Sequence, residues 1–378
     1  MSASDDGSSH LRVFMTADAV GGVWQYALDA AQGLRSNGVQ TILAVLGPAP
    51  SVDQAQRAEA AGVTTIVTGL PLDWTAERPE DVEAAGRAVA EIAAEIGPDI
   101  VHLNSPALAA GVDFPCPVVS MCHSCVATWW AAVRGGPLPD EFVWRTRLVQ
   151  NGYHASDRLL APTAAFASAT AQAYDLATPP VVVRNGRRAL STSKTPSGDV
   201  FAFTAGRLWD DGKNVAAIDR AASRASIPLR AAGPLKGPNG AEVEVRHVVA
   251  LGRQTDAEIA ASLSAQPVFV SAAKYEPFGL AVLEAAQAGC SLVLSDIPTF
   301  RELWDGVALF ADPDDDEAIA RAVDSLASDP SLRRALGTAA RQRAMAYSLD
   351  AMCAGILTVY RSLLPSKVNP ASLKGAAA

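Results

Sequence analysis

Nowhere in this chain does an uninterrupted apolar stretch reach the ~20 residues that carry a helix across a bilayer, so integral membrane insertion is not expected. Cysteine is sparse: five in 378 residues, too few and too irregularly spaced for a disulfide framework in a chain of this size. No long basic block occurs, and 31 basic against 40 acidic residues give a net charge of −9, which argues against nucleic acid as a partner. The opening Met1-Ser2-Ala3-Ser4-Asp5-Asp6-Gly7 lacks the charged and then apolar regions of a secretion signal and reads as a short loose tail, so a cytoplasmic protein is expected. What is present is 49% hydrophobic residues, over a length that allows two domains with separate cores.

Strand and helix patterns alternate along both halves. Leu11 to Thr16 is a compact β-rich run, Trp24 to Ser36 has helical apolar spacing and stops at Asn37-Gly38, and Thr41 to Leu46 is the next strand. Thr64 to Val67, a helix from Pro79 to Ile96, Ile100 to Leu103, a strand ending near Cys122 and Arg158 to Ala161 continue the series. Val181 to Gly186 closes this half with a turn signal, and the polar Ser191 to Gly198 reads as a linker. The pattern restarts with Val200 to Ala205, Pro228 to Ala232, Val245 to Leu251, Pro267 to Ser271 and Leu292 to Ser295; an acidic Asp312 to Glu317 opens helices that run to about Leu364, and Pro370 onward reads as a frayed tail. Such alternation predicts an α/β fold with two doubly wound parallel-sheet domains, 11–187 and 200–347, joined by 188–199 and followed by a helix at 348–364. Ligands in open α/β sheets bind beyond the carboxyl ends of strands, so the site is expected in a central cleft between the domains.

The most informative segment is Tyr275-Glu276-Pro277-Phe278-Gly279-Leu280-Ala281-Val282-Leu283-Glu284, which follows the apolar run ending at Ser271. Pro277 fits the opening turn of a helix, Gly279 permits close approach of a ligand, and unpaired amides at Phe278, Gly279 and Leu280 suit phosphate. Side chains lean toward a helix N-terminus, which would bring Glu284 back beside that anion; an ionised carboxylate can accept paired hydrogen bonds from vicinal hydroxyls of ribose or hexose. The plainer alternative is that Glu276 and Glu284 are acids in the first turns of a helix, favoured by its macrodipole. The stretch resembles the Glu, seven residues, Glu signature of retaining glycosyltransferases of family 4, the glycogen synthase-like group 1 enzymes of the GT-B fold. Gly289-Cys290-Ser291 resembles that family's next strand, with Ser291 departing from its usual proline.

The resemblance covers nearly the whole chain. Gly206-Arg207 and Lys213-Asn214 match the family's pattern, which implies that Arg207 and Lys213 hold a donor diphosphate; as a leaving nucleoside diphosphate gains charge, fixed cations stabilise the transition state more than the ground state. The alternative is two surface cations around a turn containing Asp210 and Asp211. Gly21 and Gly22 correspond to a glycine-rich loop facing the donor, although a glycine pair alone is often only a tight turn. Asp18 and Gln25 are candidates for acceptor or donor hydroxyls. His123, after the Val118 to Cys122 strand, is implied to position the donor hexose, and His102 is a weaker candidate near the acceptor. The family's final helices return to the first domain, making Ser348 to Leu364 the candidate segment.

The resemblance implies a retaining hexosyltransferase that uses a nucleotide diphosphate sugar and a hydroxyl acceptor. No Asp-Xaa-Asp sits at a strand end, so neither a metal nor another cofactor is expected, and Asp314 to Asp316 reads as a solvated helix cap. Cys116, Cys122, Cys125 and His123 invite a zinc reading, but the cysteines at the strand look like small apolar filler. Trp129, Trp130, Arg134, Phe142, Trp144 and Arg145 form an unusual stretch with three readings: carbohydrate stacking, contact with a membrane face, or a helix buried against the sheet. The acidic balance counts against the membrane version. The competing functions are a sugar-nucleotide epimerase or phosphorylase on the same fold and a noncatalytic sugar-nucleotide sensor.

Overall fold

The computed structural model describes residues 11–190, 200–238 and 240–365; the expected linker at Ser191 to Gly198 and both expected tails lie outside them. The first half forms seven strands, β1 (Leu11–Asp18), β2 (Val39–Leu46), β3 (Thr64–Val67), β4 (Ile100–Leu103), β5 (Val118–Met121), β6 (Arg158–Ala161) and β7 (Val181–Val182). They make one sheet ordered β3-β2-β1-β4-β5-β6-β7, with every neighbouring pair parallel. The second half forms β8 (Ala202–Ala205), β9 (Leu229–Ala232), β10 (Val249–Gly252), β11 (Val268–Ser271), β12 (Ser291–Ser295) and β13 (Leu309–Ala311), ordered β10-β9-β8-β11-β12-β13 and again parallel. Helices cover both faces, so the central strands are buried on both sides and read as continuous apolar runs without alternation, as Val13-Phe14-Met15 and Val268-Phe269-Val270 do. The chain reverses direction across each sheet between β1 and β4 and between β8 and β11; these two switch points are where such sheets open a crevice.

Several boundaries differ from the sequence expectation for identifiable reasons. β10 starts at Val249 and not at Val245, because the amides of Arg246, His247 and Val248 donate to the Asp219 carboxylate at 2.8 to 3.1 Å and are unavailable to a ladder. The short edge strand β13 and the helix Val52–Ala60 were not anticipated; that helix has a single fully buried side chain, Ala58, so its apolar periodicity is faint. The last helix, Leu349–Leu363, packs into the core of the first sheet, where Met352, Cys353, Ile356 and Tyr360 are buried with Val13, Met15 and Leu34. Gly33 marks the crossing of this helix with the helix Gly22–Arg35, since a Cβ there would collide with Cys353. Among the described residues no helix is long and apolar enough to cross a membrane.

Candidate active site

A cavity of about 660 Å³ opens at the two switch points. Its first-half wall is built at strand carboxyl ends: Asp18 ends β1, Asn104 follows β4, His123 follows β5, and Asp73 comes from the loop after β3. Arg207, just beyond β8, and Tyr275, beyond β11, enter from the second half. Gly21 caps the helix Gly22–Arg35 and forms the lip of the cleft. A Cβ on Gly21 would lie 3.9 Å from an Arg207 guanidinium nitrogen, and one on Gly22 would lie 3.8 Å from Leu280 Cδ1. The glycine pair thus lies within van der Waals reach of the cation and the helix start of the other sheet, at distances where a methyl group would still fit.

Both cationic diphosphate candidates are paired with an internal acid. Arg207 Nη2 donates to Asp210 Oδ2 at 2.8 Å, and the Lys213 ammonium pairs with the Glu276 carboxylate. Asp210 also accepts from the Gly212 amide at 2.9 Å and from Trp129 Nε1 at 3.3 Å, so one carboxylate shapes the turn and reaches across the cleft. Asn214, in the left-handed region at φ 53°, donates to Ala272 O at 3.0 Å and Pro313 O at 2.7 Å, tying the loops after β8, β11 and β13 together. Lys213 and Glu276 stand outside the cavity wall itself, which they adjoin through Tyr275.

The Glu276 to Glu284 segment differs in detail from its sequence reading. The helix spans Leu280–Ala288, with Gly279 as its N-cap at φ 90°, so Pro277 lies in the preceding loop and not in the first turn. Neither carboxylate occupies the first helical turn, which removes the macrodipole account of both. Pro277 O accepts from Thr163 Oγ1 at 3.0 Å, a bond that fastens this loop to the first half of the chain. The Phe278 ring is buried in the second core against Tyr347, leaving only its main chain for a ligand. Gly279 and Leu280 hold the helix start that faces Gly22. Glu284 is ion-paired with Arg187, which also lies 3.4 Å from Asp256 and 3.8 Å from Asp29 of the Gly22–Arg35 helix. The side chains of Arg187, Asp29 and Glu284 are each about one-tenth exposed, so this junction between the halves is a nearly dry charge cluster. Sequence reasoning missed Arg187, since one arginine in Arg184-Asn185-Gly186-Arg187-Arg188 carries no mark distinguishing it from a turn.

His123 lines the cavity, its Nε2 2.7 Å from Asn104 Oδ1 and its ring edge-on to Tyr26 at 4.6 Å. Burial, with the charge of His102 second, holds its pKa down to about 3, so it is neutral at working pH. His102 does not line the cavity: it is fully buried on β4, with Nδ1 2.7 Å from the Tyr360 hydroxyl of the last helix, and burial lowers its pKa to about 4. The strand places it on the face that this helix covers. Gln25 is also unsuited to the role expected of it, because its Oε1 accepts from Arg57 Nη2 at 2.9 Å and it does not line the cavity. Asp18 does line it; burial raises its pKa, opposed by the Val20 amide and by Arg207. Asp73, missed in the sequence, is likewise raised by burial. A carboxylate beside Trp74 in the loop at the carboxyl end of β3 was the available signal, by the rule that singled out His123.

The aromatic stretch resolves into two helices, Val126–Val133 and Asp140–Ala155, flanking the cavity. Trp129, Trp130 and Phe142 line it, while Arg145 stacks over Trp144 at 4.3 Å and donates to Ala76 O at 2.6 Å. Cys122 is a buried filler whose thiol is pushed up to about 12, and Cys125 Sγ lies 2.9 Å from Thr128 Oγ1. Among the described residues no three His, Cys, Asp or Glu side chains gather as a metal site.

Comparison with known proteins agrees with this geometry. Residues 20–188 match the model described as Glycosyltransferase Family 4, and residues 241–343 match Glycosyl transferases group 1. An alpha-maltose-1-phosphate synthase of Mycolicibacterium smegmatis is 34% identical over 110 residues, which span 27% of this chain and 28% of that protein. Among solved structures, sucrose-phosphate synthase from Thermosynechococcus elongatus superposes with a TM-score of 0.78 at 18% identity, covering 93% of this chain and 99% of that one. Anabaena HepE in complex with UDP-glucose gives 0.71 at 18% identity, covering 94% and 100%. With two parallel-sheet domains meeting at their switch points and a family match in each half, the chain belongs to the glycosyltransferases of the family 4 and group 1 type, built on the GT-B fold.

Proposed function

We propose that the protein is a retaining, metal-independent hexosyltransferase that takes its sugar from a nucleotide diphosphate donor and delivers it to a hydroxyl. The observation that carries this reading is the meeting of Arg207 with the Gly21–Gly22 loop at the paired switch points, with the Lys213–Glu276 pair alongside. In the reaction the bond from the anomeric carbon to the phosphate oxygen breaks, the acceptor oxygen bonds to that carbon on the same face, and the acceptor proton passes to the departing phosphate. Arg207 and Lys213 stabilise charge as it develops there. Glu276 orients the hexose, Glu284 meets the ribose hydroxyls once Arg187 releases it, and neutral His123 positions the sugar through hydrogen bonds and is no general base. HepE, of the same fold, has been crystallised with UDP-glucose, which makes UDP- and GDP-hexoses the first donors to test.

Thermal stabilisation by a panel of sugar nucleotides identifies the donor, because a ligand of the native state raises stability. NMR of the anomeric product then reads retention. A glycoside of inverted configuration would overturn the stereochemistry, and donor turnover without any glycoside would favour an epimerase. Two fixed cations match the diphosphate, so chelation should leave the rate unchanged. Loss of activity restored by magnesium would refute metal independence.

A further inference from the structure

One helix belongs to the first half by sequence and to the second by its polar bonds. The helix Val126–Val133 carries Trp129 and Trp130 into the cavity wall, and its N-cap residue, Cys125, makes no side-chain cap hydrogen bond. The missing partner comes from across the cleft. The Tyr275 hydroxyl, in the loop beyond β11, accepts from the Cys125 amide at 3.2 Å and lies 2.8 Å from Thr128 Oγ1. Thr128 donates its own proton to Cys125 O at 3.3 Å, so Tyr275 donates to Thr128, and two hydroxyls close a ring of bonds over the first turn of the helix.

The same helix is held again further along. Trp129 Nε1 donates to Asp210 Oδ1 at 3.3 Å, and the C-cap residue Arg134 pairs with Asp211. A Cβ on Gly212, next in that loop, would lie only 2.9 Å from Trp129 Nε1, so glycine is what lets the indole sit there. Gly212 O in turn accepts from the amides of Lys274 at 2.9 Å and Tyr275 at 3.2 Å, which bonds the two gripping loops to each other. Toward its own half the helix offers apolar contacts, Ala127 against the cluster of Cys122 and Leu148 and Trp130 beside Phe142 at 5.8 Å.

We propose that Tyr275 and Thr128 are positioning residues for the acceptor: the wall that receives it is set in place by the donor-binding half. This rests on the transferase reading, in which Arg207, Lys213 and Glu276 take the donor and the facing wall with Trp129 and Trp130 is left to the acceptor. Tyr275 directly precedes Glu276, so the loop that orients the donor hexose also fixes the helix against which the acceptor lies. An acceptor oxygen has to come within about 3–3.5 Å of the anomeric carbon, and a helix fastened to the donor loops holds it to that approach. Thr128 is 6% exposed and does not line the cavity, so it acts on a substrate only through the helix.

The full chain is first screened by calorimetry with UDP-glucose and GDP-mannose; if neither these nor other sugar nucleotides bind, the transferase reading itself fails and takes the proposal with it. With the donor found, acceptor KM and kcat are measured with whichever of glucose, glucose 1-phosphate, fructose 6-phosphate and myo-inositol reacts fastest. Thr128→Val should raise acceptor KM about fivefold, the scale of one ordinary hydrogen bond, with donor affinity within about twofold of wild type. Thr128→Ser, which keeps the hydroxyl, should restore KM. Tyr275→Phe should raise acceptor KM by a similar factor, and the double variant should be little worse than either alone, since both substitutions break the same ring of bonds. Hydrogen exchange at the amides of 126–133 reads the docking without any substrate and should quicken about fivefold in both variants, with the helix Asp140–Ala155 unchanged. Unaltered acceptor KM or unaltered exchange in Thr128→Val would overturn the proposal while leaving donor binding intact. Additive effects in the double variant would make Tyr275 a direct substrate contact and overturn it equally.

Discussion

Replacing Arg187 by alanine tests the charge cluster at the domain junction. The wild-type guanidinium faces Glu284, Asp256 and Asp29, and only Asp256, about half exposed, can fall back on water. Removing one partner of a buried ion pair costs about 3–5 kcal/mol, because the remaining charge stays dehydrated. Asp29 can take up a proton, which places the expected loss near the lower end, about 3 kcal/mol. With a urea slope of about 3 kcal/mol/M for a chain of this size, the first unfolding midpoint should fall by about 1 M. The pH dependence has a definite sign. Burial, the largest influence, already holds the Asp29 carboxyl above its ordinary value, with Arg187 among the groups pulling it down, so deletion raises it further. A raised carboxyl adds stability that is fully present below its unfolded pKa and lost as pH rises through the folded one. The deficit should therefore be larger at pH 8 than at pH 5. Urea midpoints within about 0.2 M of wild type at both pH values would refute a dehydrated cluster there.

Lys213→Ala should lower kcat by about 10²- to 10³-fold, the scale for losing one preorganised group at a developing charge; an unchanged kcat with every donor would remove Lys213 from the mechanism. His102 and His123, depressed to about 4 and 3, contribute stability present above the ordinary imidazole value of 6.5 and lost as pH falls toward those values. Urea titrations between pH 7 and 4 should thus show a fall that His102→Asn partly flattens, and an equally steep fall in the variant would contradict the assignment. Gly279→Ala forces a Cβ into the left-handed region 3.1 Å from the Phe300 ring and should cost about 1–3 kcal/mol, read as a lower thermal midpoint; wild-type stability would mean that the loop relaxes freely.

Much of this architecture is legible in the residues themselves. Strands buried on both faces carry uninterrupted apolar runs, and Thr64 to Val67, Ile100 to Leu103 and Arg158 to Ala161 fall where the pattern put them. What stayed hidden depends on partners distant in sequence. The pairing of Arg187 with Glu284 joins residues 97 positions apart, the difference of their numbers, and nothing local encodes it. His102 looked like a site residue because its strand ends at the cleft; only the return of Tyr360 makes it an interior group. Pro277 reads locally as a helix opener, yet Gly279 in the left-handed region delays the helix to Leu280. Asp73 belongs to a loop whose path no periodicity describes.

The return of Leu349–Leu363 to the first sheet bears on how the protein is made. Until Ile356 and Tyr360 leave the ribosome, the apolar flank of Gly22–Arg35 has nothing to cover it. About 165 residues separate β7 from that helix, which at a synthesis rate of about 5–20 residues per second is an interval of roughly ten to thirty seconds. Through that interval the emerging amino-terminal half is a sticky, unfinished object, a natural client for chaperones, and its completion must await the emergence of that helix.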